Sequence, residues 1–103
     1  MIFSSVSITF LTPDGPTYDS LATIRQSKSE MVIDISKDQN GPYLVRGKLT
    51  NGFFAGCNEV PDAIRVDVVA RWVELGDVWV GWWSEDGIEY LFTFRLPKAG
   101  ATR

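Results

Sequence analysis

One hundred and three residues, 45% of them hydrophobic and 13% aromatic, suit a single folded domain and lie far from the composition of a disordered chain. Ten Lys and Arg stand against thirteen Asp and Glu, a formal charge of −3, and the basic residues are scattered from Arg25 to Arg103. That excludes the positive patch that a nucleic-acid backbone or an acidic membrane surface selects. No apolar run approaches the eighteen or more residues of a membrane-spanning helix, and Met1-Ile2-Phe3-Ser4 lacks the basic start of a signal peptide. The single Cys57 cannot form an internal disulfide and is compatible with a reducing compartment. These features predict a cytoplasmic protein with neither nucleic-acid nor membrane partners.

Residues 2–11 read as an opening strand in which Ile2, Ser4, Val6, Ile8 and Phe10 alternate with Phe3, Ser5, Ser7, Thr9 and Leu11. Neither face is cleanly polar, so this strand is covered on both sides or lies at an interface. Thr12-Pro13-Asp14-Gly15-Pro16 is a turn cluster. Tyr18 to Ser27 fits two periods: a helix aligns Tyr18, Leu21, Ala22 and Arg25, whereas a strand aligns Tyr18, Ser20, Ala22 and Ile24. The β-branched Thr23 and Ile24 favour the strand.

Glu30 to Lys37 is a strand with Met31, Ile33 and Ile35 on one side and Val32, Asp34 and Ser36 on the other. A two-residue Asn40-Gly41 turn would set Ile35 against Arg46. A three-residue loop, Gln39-Asn40-Gly41, sets Ile35 against Val45 and Asp34 against Arg46, and is preferred because it keeps apolar with apolar and charge with counter-charge. Asn51-Gly52 makes the next hairpin, pairing Leu49 with Phe54, Gly47 with Gly56, and Val45 with Asn58. The facing glycines either permit a sharp bend, as small closed barrels require, or leave room for a ligand beside Asn58; the bend is preferred.

Ala63 to Leu75 reads as a long strand leading into four tryptophans, Trp72, Trp79, Trp82 and Trp83. A two-residue Gly76-Asp77 turn pairs Glu74 with Trp79, Trp72 with Gly81, and Ala70 with Trp83. Asp86-Gly87 pairs Glu85 with Ile88, Trp83 with Tyr90, Gly81 with Phe92, and Trp79 with Phe94. Both turns put Val66, Val68, Ala70, Trp72, Trp79, Gly81 and Trp83 on one face with Ile88, Tyr90, Phe92, Phe94 and Leu96. A slip of one residue would destroy that agreement. Gly81 marks either a gap closed by neighbouring rings or a place where a ligand approaches the backbone. The opposite face is mixed, with Arg71, Trp82 and Leu91 in one cross-strand row and Arg71 placed over the Trp82 ring. Trp82 is the one indole that the core does not absorb: exposed, it would stack on a sugar or a partner, and otherwise a second layer covers it. Residues 97–103 read as a disordered tail.

Seven or eight strands joined by tight hairpins predict an all-β, single-domain antiparallel meander over residues 1–96, either a small up-and-down barrel or a sandwich. In outline this resembles the avidin or lipocalin type of barrel. The resemblance is architectural, since no motif of those families is present and none of their binding residues carries over. Barrel or sandwich turns on whether residues 2–11 pair with 88–96.

Without histidine, acid–base chemistry would fall to carboxylates, Lys or Tyr, and Cys57 has no base to activate it. Glu85, Asp86 and Glu89 cluster at a hairpin tip, and solvated turn acids are the preferred reading of them. Metal-ligand spacing, a phosphate loop and a serine triad are missing from the sequence. The expectation is a non-catalytic domain with no cofactor and no metal. In its preferred form it takes a small apolar or amphipathic ligand in an aromatic interior lined by Trp72, Trp79, Trp83 and Tyr90, beside Asn58. In a second form it is a structural or interaction domain that self-associates through Trp82, Arg71 and Leu91 or through an edge strand. In a third, exposed Trp82 binds carbohydrate.

Overall fold

The structure, a computed structural model, describes residues 1–36, 42–61 and 63–97. Period-two alternation carries the chain through eight antiparallel strands: β1 (Ile2–Leu11), β2 (Thr17–Gln26), β3 (Glu30–Asp34), β4 (Leu44–Thr50), β5 (Phe53–Asn58), β6 (Val66–Val73), β7 (Val78–Glu85) and β8 (Ile88–Arg95). Each strand pairs with the next. β8 returns to β1 through Thr9 with Thr93, Phe10 with Phe92 and Leu11 with Leu91, so the sheet closes into a barrel rather than a sandwich. Among the described residues no helix is long and apolar enough to cross a membrane. Pro97 is described, and the rest of the expected tail, 98–103, lies outside the described residues.

Two ambiguous stretches resolve for identifiable reasons. In β2, Ser20, Ala22 and Ile24 are buried while Leu21 is 59% exposed, which is the strand period. In β1 a bulge between Phe3 and Val6, with Ser5 at φ 57°, inserts a residue and changes the phase. Phe3 therefore packs against the core along with Val6, Ile8 and Phe10, while Ile2 stays exposed. The mixed faces of this strand come from two phases joined by one bulge.

The registers expected from Asn51-Gly52 and Asp86-Gly87 are those observed. The other two hairpins differ from expectation by two residues. Ile33, not Ile35, lies opposite Val45, and the Ile35 amide donates to the Tyr43 carbonyl at 2.8 Å, so the connection is longer than three residues. The expected Gln39-Asn40-Gly41 loop lies outside the described residues. Arg46 then lies beside Val32 and bridges Glu30 and Glu59, both at 2.9 Å, while Asp34 reaches Arg25 at 4.0 Å. After β6, Val73 pairs with Val78 around a Glu74–Asp77 loop that turns on left-handed Gly76 (φ 80°) and Asp77 (φ 55°). Trp72 therefore faces Trp79, Ala70 faces Gly81 and Val68 faces Trp83. A shift of two keeps every side chain on its face.

The middle of the barrel is filled by its own side chains. Phe54 and Phe92 are completely buried there with Ile33, Val45 and Val68. Rings stack in a column: Trp79 on Phe94 at 6.0 Å, Phe94 on Phe92 at 5.9 Å, and Phe92 on Phe10 at 5.9 Å. A Cβ added at Gly81 would collide with the Val69 carbonyl oxygen and with Ala70 on β6, and one at Gly47 would collide with the Ala55 carbonyl on β5. These glycines mark close strand-to-strand approach, leaving no gap for a ligand. Gly81→Ala and Gly47→Ala should each cost about 1–3 kcal/mol, the usual range for overpacking. Urea unfolding measures this, and an unchanged midpoint would show that the strands can separate at no cost.

Candidate functional site

The meander order gives the barrel two unlike ends. The β2–β3, β4–β5 and β6–β7 turns gather at one end with the N-terminus, around a mouth of about 550 Å³. That volume falls in the range of small-molecule pockets. Its apolar lining comes from Trp72, the edge of the nearly buried Trp79, Leu49 and Leu96, and its polar rim from Gln26, Ser27, Lys28 and Asn51. The Trp72 amide donates to the Gly52 carbonyl at 2.8 Å, which ties the β4–β5 hairpin tip to β6 next to that indole. The Met1 ammonium donates to the Gln26 carbonyl at 2.9 Å. The mouth thus carries the Lys28 charge and, among the described residues lining it, no carboxylate.

The opposite end is narrower, a cavity of about 120 Å³ bounded by Phe10, Tyr18, Tyr43, Trp83 and Glu85. Here Glu85 accepts hydrogen bonds from the Tyr43 hydroxyl at 2.6 Å and from Trp83 Nε1 at 3.0 Å. Burial pushes the Tyr43 phenol well above the ordinary tyrosine range, and the hydrogen bond and negative charge of Glu85 push it further. Glu85 is therefore a partly buried acceptor and not the solvated turn acid expected. Asp86 and Glu89 beside it are exposed.

The expected single aromatic cavity is divided. Trp72 and Trp79 meet at the wide mouth, whereas Trp83 lies at the narrow end, with the Tyr90 ring 6.5 Å from Phe10 and 6.4 Å from Tyr18. Trp79 and Trp83 share a face but stand ~13 Å apart along β7 at about 3.3 Å per residue. The packed centre separates them. Asn58 is committed to structure: its Oδ1 accepts from the Leu44 and Val60 amides at 3.0 and 3.3 Å, and its Nδ2 donates to the Ile64 carbonyl at 3.2 Å.

On the outer wall, Trp82 is 50% exposed between Val69 and Leu91. Arg71 lies one pair further along and places its guanidinium 5.7 Å from the Phe53 ring centroid, not over Trp82, because the β6–β7 register differs by two from the one expected. Sequence reasoning missed Lys28, Phe10 and Tyr43 as site residues. Tyr43 was within reach, since it lies two residues before Val45 and so shares its inward face.

Removing the Tyr43 hydroxyl tests the narrow end. The folded phenol titrates above the ordinary tyrosine value of about 10, so its contribution to stability is complete below that value and is lost as pH rises through and beyond it. Tyr43→Phe should lower stability at pH 7 by about 1–3 kcal/mol, as expected for a hydrogen bond to a charged group, and should flatten the decline above pH ~10. Urea midpoints measured from neutral to alkaline pH give both numbers, and parallel curves for the two proteins would contradict the assignment.

No known protein family, no curated protein and no solved structure matches this chain.

Proposed function

We propose that the protein is a non-catalytic binding module that takes a small amphipathic ligand at the wide mouth. The observation that carries this reading is the chemistry of that mouth: a volume of about 550 Å³ with an apolar wall at Trp72 and Leu49, and a rim of amide, hydroxyl and ammonium groups at Asn51, Ser27 and Lys28. A ligand's apolar body lies against the indole, and an anionic or hydrogen-bond-accepting head meets Lys28. The charges spread over the outer wall, among them Arg46, Lys48 and Asp67, argue against a lipid-facing barrel. A cytoplasmic setting agrees with the free, exposed thiol of Cys57.

A second reading, self-association, rests on the row of Val69, Trp82, Leu91 and Leu11, which runs across β6, β7, β8 and β1 and leaves Trp82 half exposed. Its apolar neighbours offer no hydrogen bonds to sugar hydroxyls, so this row suits a protein face better than a carbohydrate. Closure gives every strand two neighbours and weakens the edge-strand version.

Calorimetric titration with decanoate separates the readings. Trp72→Ala should weaken binding about tenfold, equivalent to ~1.4 kcal/mol, and Trp82→Ala should leave it unchanged. Equal affinity in Trp72→Ala and the parent, or no binding by the parent, would overturn the mouth as the site. Light scattering on Trp82→Ala tests the second reading: an oligomer present in the parent and lost in the variant supports it, and an unchanged mass removes it.

A further inference from the structure

We infer that the narrow end of the barrel is a second, separate binding site, for a small organic cation of the alkylammonium class. Four aromatic rings line its cavity together with Ser20, Ile35 and Glu85. The Trp83 ring stands at 84° to Phe10 with centroids 5.2 Å apart, and at 83° to Tyr43 with centroids 5.6 Å apart, while Tyr18 stacks on Phe10 at 5.2 Å. Ring faces carry partial negative charge; both faces of Phe10 are covered, by Tyr18 and Phe92, so the attraction for a methylated ammonium group rests on the Trp83, Tyr43 and Tyr18 rings together with Glu85.

The carboxylate of Glu85 closes one side of the same void. It accepts two hydrogen bonds, both from neutral donors, and among the described residues no Lys or Arg forms an ion pair with it. A carboxylate has about four acceptor positions, so it can still face a cation. A partly buried negative charge whose hydrogen-bond donors among the described residues are neutral is stabilised further by a positive ligand that brings no strongly held hydration shell of its own. The cavity, about 120 Å³, accepts a head group of a few heavy atoms and excludes anything larger. A hard metal ion would need more oxygen ligands than one carboxylate, two phenols and the Ser20 hydroxyl supply.

The two ends of the barrel thereby select opposite charges. The wide mouth presents Lys28, and the narrow end presents Glu85 within aromatic walls. This inference does not depend on the amphipathic ligand, because the packed centre around Phe54 and Phe92 separates the two sites.

The test uses choline and its uncharged isostere 3,3-dimethylbutan-1-ol, read by the Trp83 indole N–H resonance of the intact protein. Choline should shift that resonance saturably, and the isostere should bind at least about tenfold more weakly, since it lacks the charge that the rings and Glu85 recognise. Equal shifts from the two compounds, or none from either, would overturn the proposal without recourse to any variant. Glu85→Gln, which keeps the side chain's shape, should weaken choline binding about tenfold or more, whereas Trp82→Ala on the outer wall should leave it unchanged. Unchanged choline affinity in a folded Glu85→Gln protein would also overturn it. A trimethyl-lysine peptide in place of choline distinguishes a head group presented on a protein from a free small molecule. Binding of either supports the cage, and tighter binding identifies the source.

Discussion

Closing eight short strands around a column of stacked aromatic rings is the constraint on which the rest of this molecule depends. A barrel this small encloses little space, and here the space is taken by the protein's own side chains. Strands approach closely at Gly81 on β7 and Gly47 on β4, where a side chain would collide with the neighbouring backbone. Closure and packing together leave ligand-sized space at the two ends.

The ends differ because each strand runs from one to the other while its inward residues change. On β7 the inward series is Trp79, Gly81, Trp83, Glu85. Trp79 contributes an indole edge to the wide mouth, Gly81 lets β6 come close, and Trp83 and Glu85 furnish the narrow end with an aromatic wall and a charge. One strand thus contributes to both ends and to the contact between them. Its outward residue Trp82 belongs to neither, and its neighbours Val69 and Leu91 give it an apolar setting on the wall.

The fold class and the faces were legible because alternation and turn chemistry are local. Asn51-Gly52 and Asp86-Gly87 each place left-handed residues at the tip of a two-residue turn, and their registers follow directly. The Glu74–Asp77 loop carries the same kind of turn residues at its end but is two residues longer, and period-two patterning cannot detect an error of two. That error moved Arg71 away from Trp82 and placed Trp72 opposite Trp79. Closure of β1 on β8 was not legible, since it depends on the accumulated tilt of all the strands. The site was legible only in part. Trp72 and Trp79 were named, but position along the strand, which separates them from Trp83, is not encoded in the face a residue takes. Asn58 read as a ligand group because two of its partners, the Val60 amide and the Ile64 carbonyl, lie in a loop whose path has no period, and the third, the Leu44 amide, lies at the start of β4.

The central claim is that a ligand enters at one end while the aromatic centre stays closed. The four tryptophan indole N–H resonances report on it directly, because the four rings occupy distinct environments: mouth lining, mouth floor, outer wall and narrow end. On titration with decanoate the account predicts shifts at Trp72 and Trp79, with Trp82 and Trp83 unmoved. Shifts centred on Trp82, or spread equally over all four resonances, would contradict it.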